Sequence, residues 1–230
     1  MVRARAPTQS SKRTRMKLKI MSINLRGAQE GGRFAALVRN ADKWRSREGV
    51  SVVCAQEHNL DPARADELHR LAASRGFKAV FGFARAQGQN GIHWGGTLVL
   101  CDEKSVTVCD VLEESEDLTR VSIEWNGQEW DVASVYVPVN PTKRLAFIST
   151  LAAKLSKKTF IGGDWNCVPD VTLDASGPNA LTYRNVGAAA LDTALAQLEL
   201  LDIRREQLGN EVETTRIGDS ITTRLDRWYV

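Results

Sequence analysis

The chain has 230 residues, a length that fits one domain able to bury roughly 70% of the surface of its unfolded chain. Its hydrophobic fraction of 43% and charged fraction of 26% are typical of globular domains, and no apolar stretch approaches the ~20 residues that a membrane-spanning helix needs. Composition therefore excludes a membrane-spanning protein. The formal net charge is only +3, so the overall charge does not indicate what kind of substrate the protein binds.

The positive charge is concentrated at the N-terminus. Residues 1–19 hold seven basic residues and no acidic one, so the remaining 211 residues have a net charge of −4. We expect residues 1–15 to form a basic disordered arm, without the apolar core of a secretory signal, ahead of one domain over residues 16–230. Two interpretations of the arm stay open. It contacts nucleic acid or directs the protein to the nucleus, or it is a solvated extension without function.

Nine segments have the composition and length of β-strands. In chain order they lie at about 17–24, 51–57, 77–83, 96–101, 105–112, 119–125, 129–137, 158–163 and 225–230. Four apolar stripes with helical spacing lie between them, running from Phe34 to Ala41, from Leu68 to Leu71, from Leu145 to Leu155 and from Leu191 to Leu201. This alternation predicts an α/β fold in which two β-sheets pack face to face with helices outside them.

Turn signals mark the connections. Asp61-Pro62 begins the second helix and Gly76 ends it, because aspartate caps a first turn and glycine tolerates the left-handed closing conformation. Asn126-Gly127 predicts a tight hairpin. The polar segments 86–94 and 172–185 are predicted to be surface loops.

The cysteines show no paired spacing. Three of the four lie in apolar or strand-like segments, and none belongs to a zinc-type pair. We expect buried thiols of an intracellular protein, not a disulfide framework. The four are Cys54, Cys101, Cys109 and Cys167.

The segment from Phe160 to Asn166 is the most informative part of the chain. It places an apolar strand before two glycines, a carboxylate and an amide. Side chains two apart on a strand share a face, so Asp164 and Asn166 would face one ligand if the strand continues past the glycines. The glycines would let the backbone approach that ligand closely. Because Gly-Asp also ends many ordinary strands, this segment alone is only moderately specific.

Three further strand ends carry oxygen-rich side chains. Asn24 closes the first strand, Glu57 follows the second, and Asp226 stands at the start of the last. Strand ends of layered folds converge at one rim, which is where binding sites form. Such a rim suits Mg²⁺, which takes one or two carboxylates together with water and substrate phosphate. Alternatively, each acid caps a helix or fixes a turn, an explanation that fits any one of them more readily than the set.

Five short motifs appear in the order found in a known family and span nearly all of the chain from residue 16 onward. They are Ser22-Ile23-Asn24, Ala55-Gln56-Glu57, Ser134-Val135-Tyr136-Val137-Pro138, Gly162-Gly163-Asp164-Trp165-Asn166 and Arg224-Leu225-Asp226-Arg227. On these motifs the chain resembles the endonuclease/exonuclease/phosphatase superfamily of apurinic endonucleases and DNase I. Within that superfamily it is most similar to the endonuclease domains of LINE-type retrotransposons. The resemblance implies a DNase I-like four-layer sandwich.

The resemblance also implies a divalent metal, Mg²⁺ or Mn²⁺. In the family, the residue matching Glu57 binds the metal, assisted by those matching Asn24 and Asp226. This set is therefore the expected metal site, and Asn24 is also counted among the catalytic residues.

The remaining catalytic roles follow from the same resemblance. The family residue matching Asp164 aligns or deprotonates the attacking water. Asn166 would orient Asp164 or the phosphate, and the Tyr136 hydroxyl would hydrogen-bond the phosphate or the leaving oxygen.

Substrate contacts are predicted at four positions. Thr223 matches a small hydroxyl residue of the family, and Thr215 is a second candidate for phosphate contact. Asn140 stands one place later than the family's asparagine, and Arg26 replaces a metal-assisting residue and would instead reach phosphate. Other basic residues expected at the rim are Lys143, Arg144, Arg216, Arg224 and Arg227.

One family segment has no counterpart here. The family closes with Ser-Asp-His, whose histidine stabilises charge on the phosphate, whereas these residues end at Val230. We expect a truncated domain with weak or no activity, since one charge-stabilising group is worth ~10²–10³ in rate. His58, His69 and His93 are not expected to replace the missing histidine, and His58 should point away from the site.

The function expected from the resemblance is Mg²⁺-dependent nicking of DNA by a monomeric domain, in a full-length protein that also has a reverse transcriptase. A nuclear location is consistent with this role. Two alternatives remain. One is a phosphatase or phosphodiesterase of the same superfamily acting on small phosphoesters, and the other is a non-catalytic remnant that binds nucleic acid.

Overall fold

The computed structural model describes residues 17–28, 32–84, 86–87, 92–180, 185–211 and 213–230. The predicted basic arm lies outside these residues. The strands are β1 Ile20–Asn24, β2 Val52–Gln56, β3 Phe77–Gly82, β4 Ala86–Gln87, β5 Ile92–His93, β6 Thr97–Asp102, β7 Thr107–Glu114, β8 Leu118–Trp125, β9 Gln128–Tyr136, β10 Thr159–Asp164, β11 Ala175–Ser176, β12 Arg216–Ile217, β13 Thr222–Thr223 and β14 Asp226–Tyr229. The helices are α1 Gly32–Glu48, α2 Ala65–Ala73, α3 Pro141–Lys154, α4 Val171–Asp174, α5 Ala188–Leu198 and α6 Ile203–Leu208.

Two sheets form the centre of the fold. The first has the order β1-β2-β6-β3, and the second has the order β14-β10-β9-β8-β7. Each sheet has one parallel pair, β1 with β2 and β9 with β10, and each pair is joined through a helix, α1 in the first case and α3 in the second. The parallel pairs matter for function, because they bring the carboxyl ends of two strands to one edge of each sheet.

The layers pack through three apolar clusters. The cluster between the sheets includes Val52, Val99 and Val121, and its members alternate along their strands with residues that face the helices. A second cluster, around Phe34, joins α1 and α2 to the first sheet, and a third, around Ile148, joins α3 and α5 to the second. This is the four-layer sandwich predicted from the sequence.

The turn and cap chemistry agrees with the sequence. Asn126 and Gly127 have φ values of 53° and 76°, the left-handed pair that a tight hairpin between β8 and β9 requires. Asp61 caps a single 3₁₀ turn, Pro62–Arg64, which leads into α2. The Oδ1 of Asn140 accepts hydrogen bonds from the backbone N–H groups of Thr142 and Lys143 and so caps α3.

Several short elements were not predicted. The polar segment 86–94 contains the paired strands β4 and β5, while its residues 88–91 lie outside the described residues. The segment 172–185 begins in α4 and β11, and β11 joins β12 and β13 in a small third sheet. Two-residue strands and four-residue helices are too short for a hydrophobic period to reveal them. No helix within the described residues is long and apolar enough to cross a bilayer.

One cysteine departs from the prediction. Cys54, Cys101 and Cys167 are buried, but Cys109 is exposed on β7, the outer strand of its sheet. An edge strand keeps one face and one edge open to water, which an apolar run in the sequence does not reveal.

Candidate active site

Strand ends from both sheets meet at one cavity of about 550 Å³. Asn24 ends β1 and Glu57 follows β2, while Tyr136 and Asp164 end β9 and β10. In the second sheet Asp164 is paired with Tyr136 on one side and with Asp226 of β14 on the other. The parallel pairs place Asn24, Glu57, Tyr136 and Asp164 at one edge of the sandwich, and the antiparallel pairing of β14 with β10 brings the start of β14, Asp226, to the same edge, as predicted.

Asn24 connects the two central carboxylates. Its Nδ2 donates to Oε1 of Glu57 at 2.7 Å and to Oδ2 of Asp164 at 3.2 Å. Its Oδ1 accepts from the backbone N–H of Arg26 at 2.9 Å, which fixes the orientation of the amide. A neutral donor therefore holds two acids from different sheets close together.

Asn166 holds the second oxygen of Asp164. Its backbone N–H donates to Oδ1 of Asp164 at 3.0 Å, and its Nδ2 donates to the carbonyl of Val137 at 2.8 Å. Both side chains line the cavity, as predicted, but not by strand alternation. The strand ends at Asp164, and Asn166 turns back with a φ of 45°.

The two glycines do not serve a ligand, contrary to the prediction. A Cβ on Gly162 would lie 2.4 Å from the Trp228 ring, and one on Gly163 would lie 1.9 Å from the carbonyl oxygen of Val135. Glycine is needed here because neighbouring protein atoms occupy the space of a side chain.

Burial changes the acidity of the central groups. It raises the pKa of Asp164 to about 6, and the charges of Asp226 and Glu57 add to this effect while the hydrogen bond from the Asn166 N–H opposes it. Burial, followed by the Glu57 and Asp164 charges, also raises the pKa of Tyr136. Asp164 is therefore ionised at neutral pH yet more basic than a solvated aspartate, and Tyr136 remains a neutral donor.

Left-handed backbone is concentrated at the cavity. Six non-glycine residues of the described ranges have positive φ values, and four of them line this cavity. Such conformations cost of order 1–3 kcal/mol each and cluster at functional sites. The four are Arg26 (48°), Glu57 (52°), Asn59 (51°) and Asn166 (45°).

No family model matches the chain. Over 122 residues, 49% of this chain, it is 29% identical to "Transposon TX1 uncharacterized 149 kDa protein" of Xenopus laevis, and the match spans only 9% of that protein. An AP endonuclease from Archaeoglobus fulgidus superposes with a TM-score of 0.68 at 18% identity, over 93% of this chain and 86% of that one. The chain has the endonuclease/exonuclease/phosphatase fold.

Two further structures show the breadth of this fold. The endonuclease domain of TRAS1, a telomere-specific non-LTR retrotransposon, has a TM-score of 0.57 at 15% identity, over 92% of this chain and 83% of that one. A mannosyl-6-phosphatase from Bacteroides thetaiotaomicron has a TM-score of 0.55 at 12% identity, over 93% and 85%. The resemblance stated from the sequence motifs is confirmed for the fold.

The acidic edge of this endonuclease/exonuclease/phosphatase fold has donors that fit Mg²⁺. Glu57 provides a carboxylate, with the amide of Asn24 beside it and Asp226 on the same cavity. Among the described residues, no group of three or more His, Cys, Asp or Glu side chains is arranged to hold a metal ion. The donors present are oxygens of the kind that Mg²⁺ takes together with water or substrate phosphate.

The predicted substrate contacts divide into two groups. Thr215 and Arg26 line the cavity, and the Thr215 hydroxyl accepts from the N–H groups of Leu225 and Asp226 at 3.0 and 3.1 Å. Asn140 instead lines an adjoining cavity, where its side-chain oxygen is engaged as the α3 cap. Thr223 is buried and is absent from the cavity wall.

Three arginines predicted at the rim are buried structural groups. Arg224 and Arg227 each pair with both Asp174 and Asp202 at 2.6–2.9 Å. Arg144 donates to backbone carbonyls, including that of Val139 at 2.7 Å. Their cationic side chains satisfy buried oxygens, so the prediction of phosphate contact is wrong for these three. Arg216 and Lys143 line the two cavities as predicted.

No histidine lines the 550 Å³ cavity within the described residues. His58 is buried behind it, with Nε2 3.2 Å from the carbonyl oxygen of Gly82, and burial lowers its pKa to about 4. This agrees with the prediction that it points away from the site.

Sequence reasoning missed four residues of the cavity wall, Asn59, Trp94, Val139 and Ile217. The last three are exposed by 56%, 62% and 87%. Asn59 had a usable signal, because asparagine after a strand end is favoured in turns and tolerates left-handed backbone. The exposed apolar residues had none, since exposure is a tertiary property.

Proposed function

We propose that this protein is a divalent-metal-dependent phosphodiesterase that nicks DNA, of the type found in LINE-type retrotransposons. The observation that carries the proposal is the bridge from Asn24 to Glu57 and Asp164, which unites a metal-type carboxylate with a buried, basic one. The sequence match to a transposon protein and the fold shared with the TRAS1 endonuclease domain support it.

The residues have the following roles in hydrolysis. Ionised Asp164 accepts a proton from water, whose oxygen then bonds to phosphorus as the bond to the 3′-oxygen breaks and that oxygen takes up a proton from solvent to become the 3′-hydroxyl. Mg²⁺ held by Glu57, Asn24 and Asp226 would neutralise charge on the phosphate. The neutral Tyr136 hydroxyl, which lines the cavity with Glu57, donates to a phosphate oxygen or the leaving oxygen. Asn166 keeps Asp164 aligned.

The length of the groove supports an internal phosphodiester as the substrate. The cavity of about 550 Å³ adjoins a second one of about 380 Å³, and the two share Glu57, Trp94, Tyr136 and Val139. Glu57 and Tyr136 therefore lie at the junction of the two cavities, the two arms of the groove, while Asp164, Asn166 and Asp226 line the larger one. A substrate with one nucleotide on each side of this junction fits the arrangement.

The longer context belongs to the same proposal. The transposon relative is described as a 149 kDa protein, and this chain matches 9% of it. We infer that the domain acts as a monomer beside a reverse transcriptase, and that the 3′-hydroxyl it produces primes DNA synthesis in the nucleus.

The decisive experiment incubates supercoiled plasmid and Mg²⁺ with the protein or with Asp164→Asn. Nicked circles produced by the unaltered protein alone, and extended by a DNA polymerase without further treatment, are the expected result. Equal nicking by Asp164→Asn would contradict the catalytic roles. If DNA is bound in a salt-dependent way but not cut, the protein is a non-catalytic nucleic-acid-binding remnant.

A second candidate function is hydrolysis of small phosphoesters. Its support is the mannosyl-6-phosphatase of the same fold, together with a net charge of −4 outside residues 1–19, which provides no general attraction to DNA. Release of phosphate from sugar phosphates, with plasmid left intact, would favour this function.

A further inference from the structure

We propose, on the basis of the DNA-nicking function, that Trp94 stacks on an unpaired nucleobase next to the cleaved phosphate. Trp94 is 56% exposed and lines both arms of the groove beside Glu57 and Tyr136. A large aromatic ring left open to water at the junction of a substrate groove is a binding element, because successive bases of a single strand stack on such rings.

The backbone that carries Trp94 is fixed to the site. The N–H of Gly95 donates to Oδ1 of Asn59 at 2.6 Å, and the N–H of Asn59 donates to the carbonyl of Gly95 at 2.9 Å. On its other side Gly95 packs near the Tyr136 ring, with 3.8 Å from an ideal Cβ to the ring atoms. The next residue, Gly96, leaves no room for a side chain, because a Cβ there would lie 2.5 Å from the His58 ring.

These contacts fix the backbone that carries the indole relative to the reacting groups. Asn59 lies two residues after Glu57, and Tyr136 is paired with Asp164. A base stacked on Trp94 would therefore place its own phosphate at a defined position along the groove. Such prior positioning lowers the entropic cost of binding.

The charges around Trp94 favour a base over a phosphate. Glu116 and Asp117 line the same arm, opposed by Lys143. A phosphate beside these carboxylates would be repelled, whereas an uncharged base would not. The arm that holds Arg26 and Arg216 is the better place for the phosphate. Trp94 thus lies where a base can occupy the smaller cavity while the cleaved phosphate lies in the larger one.

This arrangement predicts the substrate class. A base within a duplex is already stacked on both faces, so stacking on Trp94 requires it to leave the helix. We therefore expect single-stranded or locally unpaired DNA to be preferred to intact duplex. A small phosphoester that lacks a base gains nothing from Trp94.

The test measures binding of fluorescein-labelled single-stranded oligonucleotides by anisotropy in Mg²⁺, with Asp164→Asn in every protein so that no cleavage occurs. Trp94→Ala should weaken binding by roughly 5- to 100-fold, and Trp94→Phe should retain most of it. Leu201→Ala, a change at another exposed apolar residue (57%), is the matched control and should leave binding unchanged.

Oligonucleotides with one abasic position identify the stacked base. At a single position, removing the base should weaken binding to the Trp94 protein but not to Trp94→Ala. Unchanged binding by Trp94→Ala, a loss that no abasic position reproduces, or failure of the parent protein to bind the oligonucleotides would each overturn the proposal. Absence of plasmid nicking with a positive stacking result would instead contradict only the nicking function.

Discussion

The Nδ2 of Asn24 lies 3.2 Å from Oδ2 of Asp164, although 140 residues separate them in the chain. One residue ends a strand of the first sheet and the other ends a strand of the second, so this hydrogen bond crosses the sandwich at its acidic edge. Beneath it, Gln56 Nε2 donates to Ser134 Oγ at 2.9 Å, a second buried link between the sheets. The relative position of Asn24 and Asp164 therefore depends on how the two sheets pack against each other.

Asp164→Asn should stabilise the metal-free protein at neutral pH while it removes activity. The folded-state pKa of Asp164 is about 6, against an ordinary value of 3.8. Between these values the folded state holds the extra proton, so stability falls as pH rises through about 4 to 6. The full loss, about 3 kcal/mol, is reached near pH 7. Urea unfolding in EDTA across pH 4–8 should show a flatter profile for the variant. Parallel profiles would contradict this prediction.

Glu57→Gln should weaken divalent-metal binding and abolish cleavage without unfolding the protein. The amide keeps an acceptor for the Asn24 N–H but lacks the negative charge that Mg²⁺ requires. Isothermal titration with Mn²⁺ and the plasmid assay measure the two effects. Glu103→Gln, at an exposed carboxylate outside the cavity wall, is the control and should change neither. Equal Mn²⁺ affinity in the parent and Glu57→Gln would remove Glu57 from the metal site.

Thr215→Val should reduce cleavage about tenfold with the fold intact. The hydroxyl that it removes accepts from the backbone N–H groups of Leu225 and Asp226, which hold the start of β14 at the cavity. Single-turnover plasmid nicking measures the effect. Thr214→Val at the neighbouring residue is the matched control, and a similar loss there would show a general effect on the segment.

Arg224→Met should destabilise the protein by about 3 kcal/mol. Asp174 and Asp202 would each keep Arg227 but lose one buried partner, and the loss of charge-assisted hydrogen bonds inside the protein is costly. Arg224 also adjoins the strand that carries Asp226, so activity should fall together with stability. Urea unfolding provides the measurement. Arg204→Met, which breaks an exposed pair with Glu213, should hardly move the midpoint. Equal midpoints for the two variants would show that the buried network is dispensable.

Much of the fold could be predicted from the sequence because its long strands and helices have clear hydrophobic periods. Nine strands were predicted close to their observed bounds and four helices were located by their apolar stripes, since apolar spacing and turn residues such as Asn126-Gly127 act within a few residues of the chain. The short strands β11, β12 and β13 were missed for the opposite reason. Each of these strands is only two residues long, which is too short to show a hydrophobic period. Each is stabilised by pairing with a strand elsewhere in the chain.

The sequence by itself determined the chemical character of the site: oxygen-bearing side chains at strand ends, with Asn24, Glu57, Tyr136, Asp164, Asn166 and Asp226 as its members. It also predicted that these residues meet at one rim, because strand ends of layered folds converge there. Tertiary structure alone decided what each polar group contacts. Arg224 and Arg227 adjoin Asp226 in the chain, yet they face buried Asp174 and Asp202. In the sequence Trp94 is an ordinary loop residue, yet in the structure it lies exposed where the two cavities adjoin.

The physical reason is the distance along the chain over which each interaction acts. Backbone preference and hydrophobic period act between near neighbours, whereas burial, exposure and charge pairing depend on segments that only the completed fold brings together.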